Sequence, residues 1–217
     1  MQPSPPVDIQ HDRDLNLPGN AASVTISIAS PTWLLRGLSM LMAPAMVIIM
    51  GIDLRIRGQE RILIHGIADE IAHVLTAIVM LSVLYALGWP VRWIAGILGA
   101  VAIDIDHFLV PEGYLHMIAN TNRSALHTVG PALVVLVVGL VAWPLRTWFW
   151  SFGLAMLTHL LRDATTSELP LAWPVGDDLI HLRYSLYLTI LVACTLVTTG
   201  VVALGARPPG HARAQRH

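Results

Sequence analysis

VRWIAGILGAVAIDIDHFLV, residues 91–110, is the stretch on which the fold turns. From Trp93 to Ile103 it carries no charge and is as apolar as a membrane-spanning helix, yet Asp104, Asp106 and His107 follow within the same run. Crossing the hydrocarbon core takes about 20 apolar residues, and each charged group at membrane depth costs about 2.5–3.5 kcal/mol on insertion scales. A run of that length ending in two carboxylates and an imidazole points to ion pairing or to a bound ion.

Five more apolar runs lie on either side: Trp33–Gly51, Glu70–Gly88, Thr128–Trp143, Thr147–Leu161 and Tyr184–Gly205. The fourth and fifth runs in chain order, Thr128–Trp143 and Thr147–Leu161, are short for a crossing. Pro90 and Pro144 stand at breaks where helices should end. Trp89, Trp93, Trp143, Trp148 and Trp150 gather at predicted ends, as an interfacial aromatic belt does. The expected architecture is all-α, a polytopic transmembrane helical bundle of about five to six spans over residues 31–205. Its functional core is expected at about residues 66–185. Residues 1–30 are rich in Pro, Asp and Asn with no apolar period, so they read as a disordered tail without a signal-peptide pattern. Residues 206–217 read as a basic C-terminal tail.

Composition agrees. Of 217 residues, 55 % are hydrophobic and 12 % charged, with net charge −1 and mean hydropathy +0.64. Soluble domains carry about 25 % charged residues. The deficit argues against a soluble enzyme or a disordered regulator, and no basic patch exists to bind nucleic acid; the implied partner is the lipid bilayer. All 13 basic residues are Arg, which excludes a Walker-A lysine, Schiff-base chemistry and a Ser-Lys dyad. The single Cys194 allows neither a disulfide framework nor a thiolate metal site.

The ionisable residues inside the apolar runs form a pattern. His73 lies near the start of the second run, and Asp104, Asp106 and His107 lie at the end of the third. Arg123 and His127 precede the fourth, and His159 and Asp163 close the fifth. Alternating topology places all four of these helix ends at one face of one bundle. Helical spacing tightens the pattern: His159 and Asp163 are i,i+4, Asp69 and His73 repeat that spacing, and Asp104 and His107 are i,i+3. Read alone, His65, Asp69 and Glu70 look like a solvated helix start favoured by the helix dipole.

Imidazoles with carboxylates and no thiolate suit a divalent metal, zinc first, with manganese or iron as the other metals of this ligand type. The expected ligands are His73, Asp104, Asp106, His107, His127, His159 and Asp163, enough for one or two ions. Arg123 is expected either to clamp a phosphate or carboxylate or to balance Asp106, and Asp106 is the spare carboxylate suited to general-base work. That combination points to hydrolysis of a phosphoester or other ester of a lipid-like or phosphorylated substrate at the membrane face. The competing class is non-catalytic: a metal transporter, or a scaffold built on a degenerate hydrolase. A transporter needs polar residues leading to both faces, whereas Ala132–Val141 and Ile190–Leu204 carry no charge and no His. HExxH is absent, as are the clustered HxxHH boxes of di-iron desaturases.

The order His73, Asp104-Ile105-Asp106-His107, Arg123 with His127, then His159-x-x-x-Asp163, followed by Pro170-Leu171-Ala172-Trp173-Pro174, resembles the YdjM-like family of inner-membrane proteins. That family is described as metal-dependent hydrolases related to the zinc phospholipase C and nuclease fold. The resemblance covers about residues 66–185, and its DxDH and HxxxD boxes are specific in combination. It implies a multi-pass protein of the cell inner (cytoplasmic) membrane. The third box departs from the family's HRxxTHS, reading Asn122-Arg123-Ser124-Ala125-Leu126-His127-Thr128, with Asn122 in place of the first His and Leu126 in place of the Thr.

Overall fold

A segment surrounded by lipid must pair every backbone N–H and C=O within itself, so apolar runs of this composition wind into helices. A computed structural model of the chain describes residues 32–56, 63–105, 125–176 and 178–204. These residues form six α-helices: α1 (Thr32–Ile56), α2 (Leu63–Ala86), α3 (Trp93–Val101), α4 (Val129–Val141), α5 (Arg146–Thr166) and α6 (Tyr184–Ala203). Single 3-10 turns at Ile103–Ile105, Ala125–His127 and Trp143–Leu145 join them. The tails expected at 1–30 and 206–217 lie outside the described residues.

The all-α expectation holds, and among the described residues the candidate spans are fewer than the five to six expected. Among the described residues, three helical segments are long and apolar enough to cross a membrane: Trp33–Arg55, Gly66–Ala86 and Tyr184–Ala203. A bent pair, Val129–Val141 with Trp143–Thr166, brings the number to four if it counts as one span. Two physical causes account for the difference. The third run leaves the α-helix after Val101, so α3 has only nine residues and rises about 14 Å at 1.5 Å per residue. The fourth and fifth runs meet at an angle of 116°. There Ala142 leaves helical geometry and Pro144, which has no N–H to continue the ladder, opens a 3-10 turn. Arg146 stacks over the Trp143 ring at 3.8 Å in this corner.

Packing divides the helices into two groups that meet where α2 packs against α3 and α5. In the first, α1 buries Leu35, Leu38, Met42, Ala45 and Ile49 against Val79, Tyr85 and Ala86 of α2 and Tyr187 and Leu191 of α6. The spacing of that α1 stripe, three and four residues in turn, is one face of a helix, and its next member is the buried Asp53. In the second, α3, α4 and α5 approach closely through small residues. Gly99 of α3 lies against the backbone of Phe152 in α5, where a Cβ would collide with the Phe152 carbonyl. Outward faces are apolar, with Val134, Val137 and Val141 of α4 and Leu196 and Val197 of α6 exposed. Such faces match lipid rather than water.

The two ends of the bundle differ in chemistry. At one end, Trp89 meets Trp150 at 6.2 Å, and the Arg92 amide donates to Ser151 Oγ at 2.9 Å. At the other end lie the C-terminus of α1, the start of α2, the turn after α3, the turn before α4 and the last turns of α5. A chain segment bearing the Leu169–Ile180 bridge returns across this second end to α6, with Leu169 fully buried.

The Gly99 contact sets a stability expectation. Replacing Gly99 with Ala should destabilise the detergent-solubilised protein by about 1–3 kcal/mol, because the clash is with backbone. Gly51→Ala, where no atom lies within 4 Å of the new Cβ, should be neutral or stabilising by up to about 1 kcal/mol. Thermal unfolding of the two variants side by side measures this, and equal midpoints would contradict the α3–α5 packing.

Candidate metal centre

The centre begins with the early end of α3. Ala100 is one residue from the helix terminus, so its carbonyl has lost the partner that a continuing helix would supply. His159 of α5 fills that gap: its Nδ1–H donates to the Ala100 carbonyl at 2.6 Å. This bond fixes the tautomer and leaves the lone pair on Nε2. His159 is fully buried, and its Nε2 has no hydrogen-bond partner among the described residues. What it faces are Asp163 Oδ2 at 3.5 Å and Asp104 Oδ2 at 3.6 Å. A lone pair and two carboxylate oxygens converging in a dry interior repel one another unless a metal cation or a proton on Nε2 lies between them.

His127, from the turn before α4, completes the group. Its Nε2 lies 3.0 Å from Asp104 Oδ1 and 3.7 Å from Asp163 Oδ2. Asp104, His127, His159 and Asp163 each offer one ligand atom, all within 4.8 Å of one another, and all four residues are buried. Two imidazole nitrogens and two carboxylate oxygens make a donor set that fits zinc, manganese or ferrous iron. Glu70 of α2 lies beside Asp104, and its Oε2 is buried with no hydrogen-bond partner among the described residues.

Directly behind this group sits a second set of charges. Arg162 is 1 % exposed. Its Nη2 donates to Asp53 Oδ1 at 2.6 Å, and its Nη1 donates to Asp69 Oδ1 at 2.7 Å and to His73 Nε2 at 2.8 Å. The Tyr184 hydroxyl donates to the other Asp53 oxygen at 2.8 Å. One guanidinium thus ties α1, α2 and α5 together, and Tyr184 adds α6. His73 links the two sets: its ring stacks on His159 with centroids 3.6 Å apart, and its Nε2 lies 3.1 Å from Asp163 Oδ1.

Of the residues singled out from the sequence, Asp104, His127, His159 and Asp163 come together. His73 stands at the edge of that group with its Nε2 turned to Arg162 and Asp163. Asp106, His107 and Arg123 lie outside the described residues. Asp69 differs from the expected solvated helix start: its side chain is 39 % exposed but ion-paired to Arg162. Asp53 and Tyr184 are additions that the sequence reading missed. A signal for Asp53 exists in the α1 stripe, since a carboxylate at the next buried position of an apolar helix face requires a cation.

Breaking the Arg162 network should be costly. Asp53→Ala leaves a buried guanidinium short of its counter-charge and should lower stability by about 3–5 kcal/mol. Tyr184→Phe removes one hydrogen bond to a charged acceptor and should cost about 1.5–3 kcal/mol. Chemical unfolding in detergent separates the two, and an Asp53→Ala loss below that of Tyr184→Phe would contradict the ranking.

Comparisons with family models, with curated proteins and with solved structures find no match to this chain, so its functional reading rests on its own residues and their geometry.

Proposed function

We propose that the chain, whose described residues form a helical protein with three to four candidate membrane spans and a buried Asp/His cluster able to hold a metal, is an integral membrane metal-dependent hydrolase that cleaves a phosphoester or other ester of a lipid-like substrate at the membrane face. The observation that carries the proposal is His159, with one ring nitrogen anchored on the Ala100 carbonyl and the other buried, facing Asp104 and Asp163 and without a hydrogen-bond partner among the described residues. Orientation of a ligating imidazole through its second nitrogen is the usual support of a metal site. Zinc is the proposed ion, with manganese and iron as alternatives of the same donor chemistry.

A divalent ion held by Asp104, His127, His159 and Asp163 would act as a Lewis acid and lower the pKa of a bound water toward about 7. The chain's own residues supply the remainder. Glu70, beside Asp104 with one carboxylate oxygen buried, is proposed to accept a proton, and Asp106 is proposed to share that work. Arg123 is proposed to bind the anionic group of the substrate through its planar fork. The grouping of Glu70, Asp104, His127, His159 and Asp163 at one end of an apolar bundle favours a substrate whose polar head lies at the membrane surface. The inner-membrane location rests on the family resemblance alone.

Metal analysis of the detergent-purified protein tests the reading. The wild type should carry bound zinc, manganese or iron, and His159→Ala or Asp104→Ala should weaken binding by more than about 10-fold, the lower end of what loss of a mere supporting contact costs. Turnover of phosphodiester and phosphomonoester lipids should then fall with the metal. A metal-free wild type, even after incubation with Zn²⁺, overturns the proposal; unchanged turnover in Arg123→Ala removes that residue's role.

A further inference from the structure

We infer that the centre is mononuclear and that the Arg162 guanidinium occupies the place of a second metal ion. The inference rests on the proposed metal centre and deepens it. What surrounds the guanidinium is a metal-ligand set: two carboxylates, Asp53 and Asp69, and one imidazole nitrogen, His73 Nε2, at 2.6, 2.7 and 2.8 Å from its terminal nitrogens. Those residue types are the ligands of zinc and manganese sites. Asp163 links the two ligand sets, with Oδ1 3.1 Å from His73 Nε2 and Oδ2 3.5 Å from His159 Nε2. Two-metal hydrolytic sites place two cations a few ångströms apart, and here His73 and Asp163 join the two positions.

The charge balance supports the same reading. Asp53, Asp104 and Asp163 are buried, and Asp69 is partly so. Buried carboxylates need compensating charge, and Arg162 is the only cationic Arg buried among the described residues. A guanidinium is always charged and cannot be lost to chelators or acid in the working range, so the second cation is permanent while the first is exchangeable. Arg162 is a positioning residue: it holds Asp53, Asp69 and His73 in place beside the metal centre.

Titration of the purified full-length protein with Zn²⁺ and with Mn²⁺, followed by metal analysis and thermal unfolding, tests this. The wild type should saturate at one equivalent per chain. Arg162→Ala empties the second position and should take up two equivalents, with an unfolding midpoint that rises on addition of the second. Arg162→Lys keeps a cation and should stay at one. Arg162→Ala combined with Asp53→Asn removes a ligand of the vacated position and should return to one. Two equivalents in the wild type overturn the inference while leaving the metal centre standing. So does a folded Arg162→Ala that binds one, and so does an Arg162→Ala that stays unfolded in excess of both metals, because either ion is expected to replace the guanidinium. No metal in any form overturns the metal centre itself, and this inference with it.

Discussion

A guanidinium with almost no solvent exposure is the constraint around which the helices are arranged. Arg162 cannot be neutralised and cannot reach water, so the interior must bring carboxylates to it. Asp53 comes from the end of α1 and Asp69 from the start of α2, with a hydroxyl from the start of α6 holding the outer oxygen of Asp53. Each of these helices must end or begin at the same depth for the network to close. The apolar stripe of α1 supplies adhesion along its length, but side chains of that kind slide in register at small cost. The ion pair is what sets how far α1 is pushed in relative to α2 and α5.

The metal-type cluster depends on an interruption rather than on regular structure. Had α3 continued through residues 102–110 as a full crossing, the Ala100 carbonyl would have been spent inside the helix. Asp104 would then have pointed along a regular helical face. Instead the chain tightens into a 3-10 turn at Ile103–Ile105. The freed carbonyl orients His159, and the turn carries Asp104 to within ligand distance of His127 and Asp163. Loss of a span and gain of a site are one event.

How far this was legible in the sequence differs from residue to residue. That Asp104, His127, His159 and Asp163 converge was readable, because alternation of the second to fifth apolar runs places four helix ends at one face, and the short α3 and the bent α4–α5 pair keep that alternation of direction. The number of spans was not. Hydropathy counts apolar residues and does not register where a backbone stops being helical, so the apolar run containing α3 looked like a crossing. The Pro144 break was visible, but the sequence carries no measure of the angle it produces. Asp53 escaped notice because it follows an apolar run and looks like the first residue of a loop; only the phase of the stripe before it marks it as inward-facing. Asp69 looked solvated because its partner, Arg162, is 93 positions away, and pairing at that range leaves no local pattern.

The 116° bend between α4 and α5 has a consequence for sidedness. The α4–α5 hairpin leaves the centre at His127 and comes back to it at Asp163, so it returns the chain to the face from which it set out. With α1 running toward the centre, α2 away, α3 back and α6 away, Thr32 and Ala203 fall on the same face, the one opposite the centre. Across a membrane the two faces would meet different compartments: one holds Thr32 and Ala203, the ends of the described bundle, and the other holds the Asp104, His127, His159 and Asp163 cluster. An ion reaching that cluster would come from the second compartment.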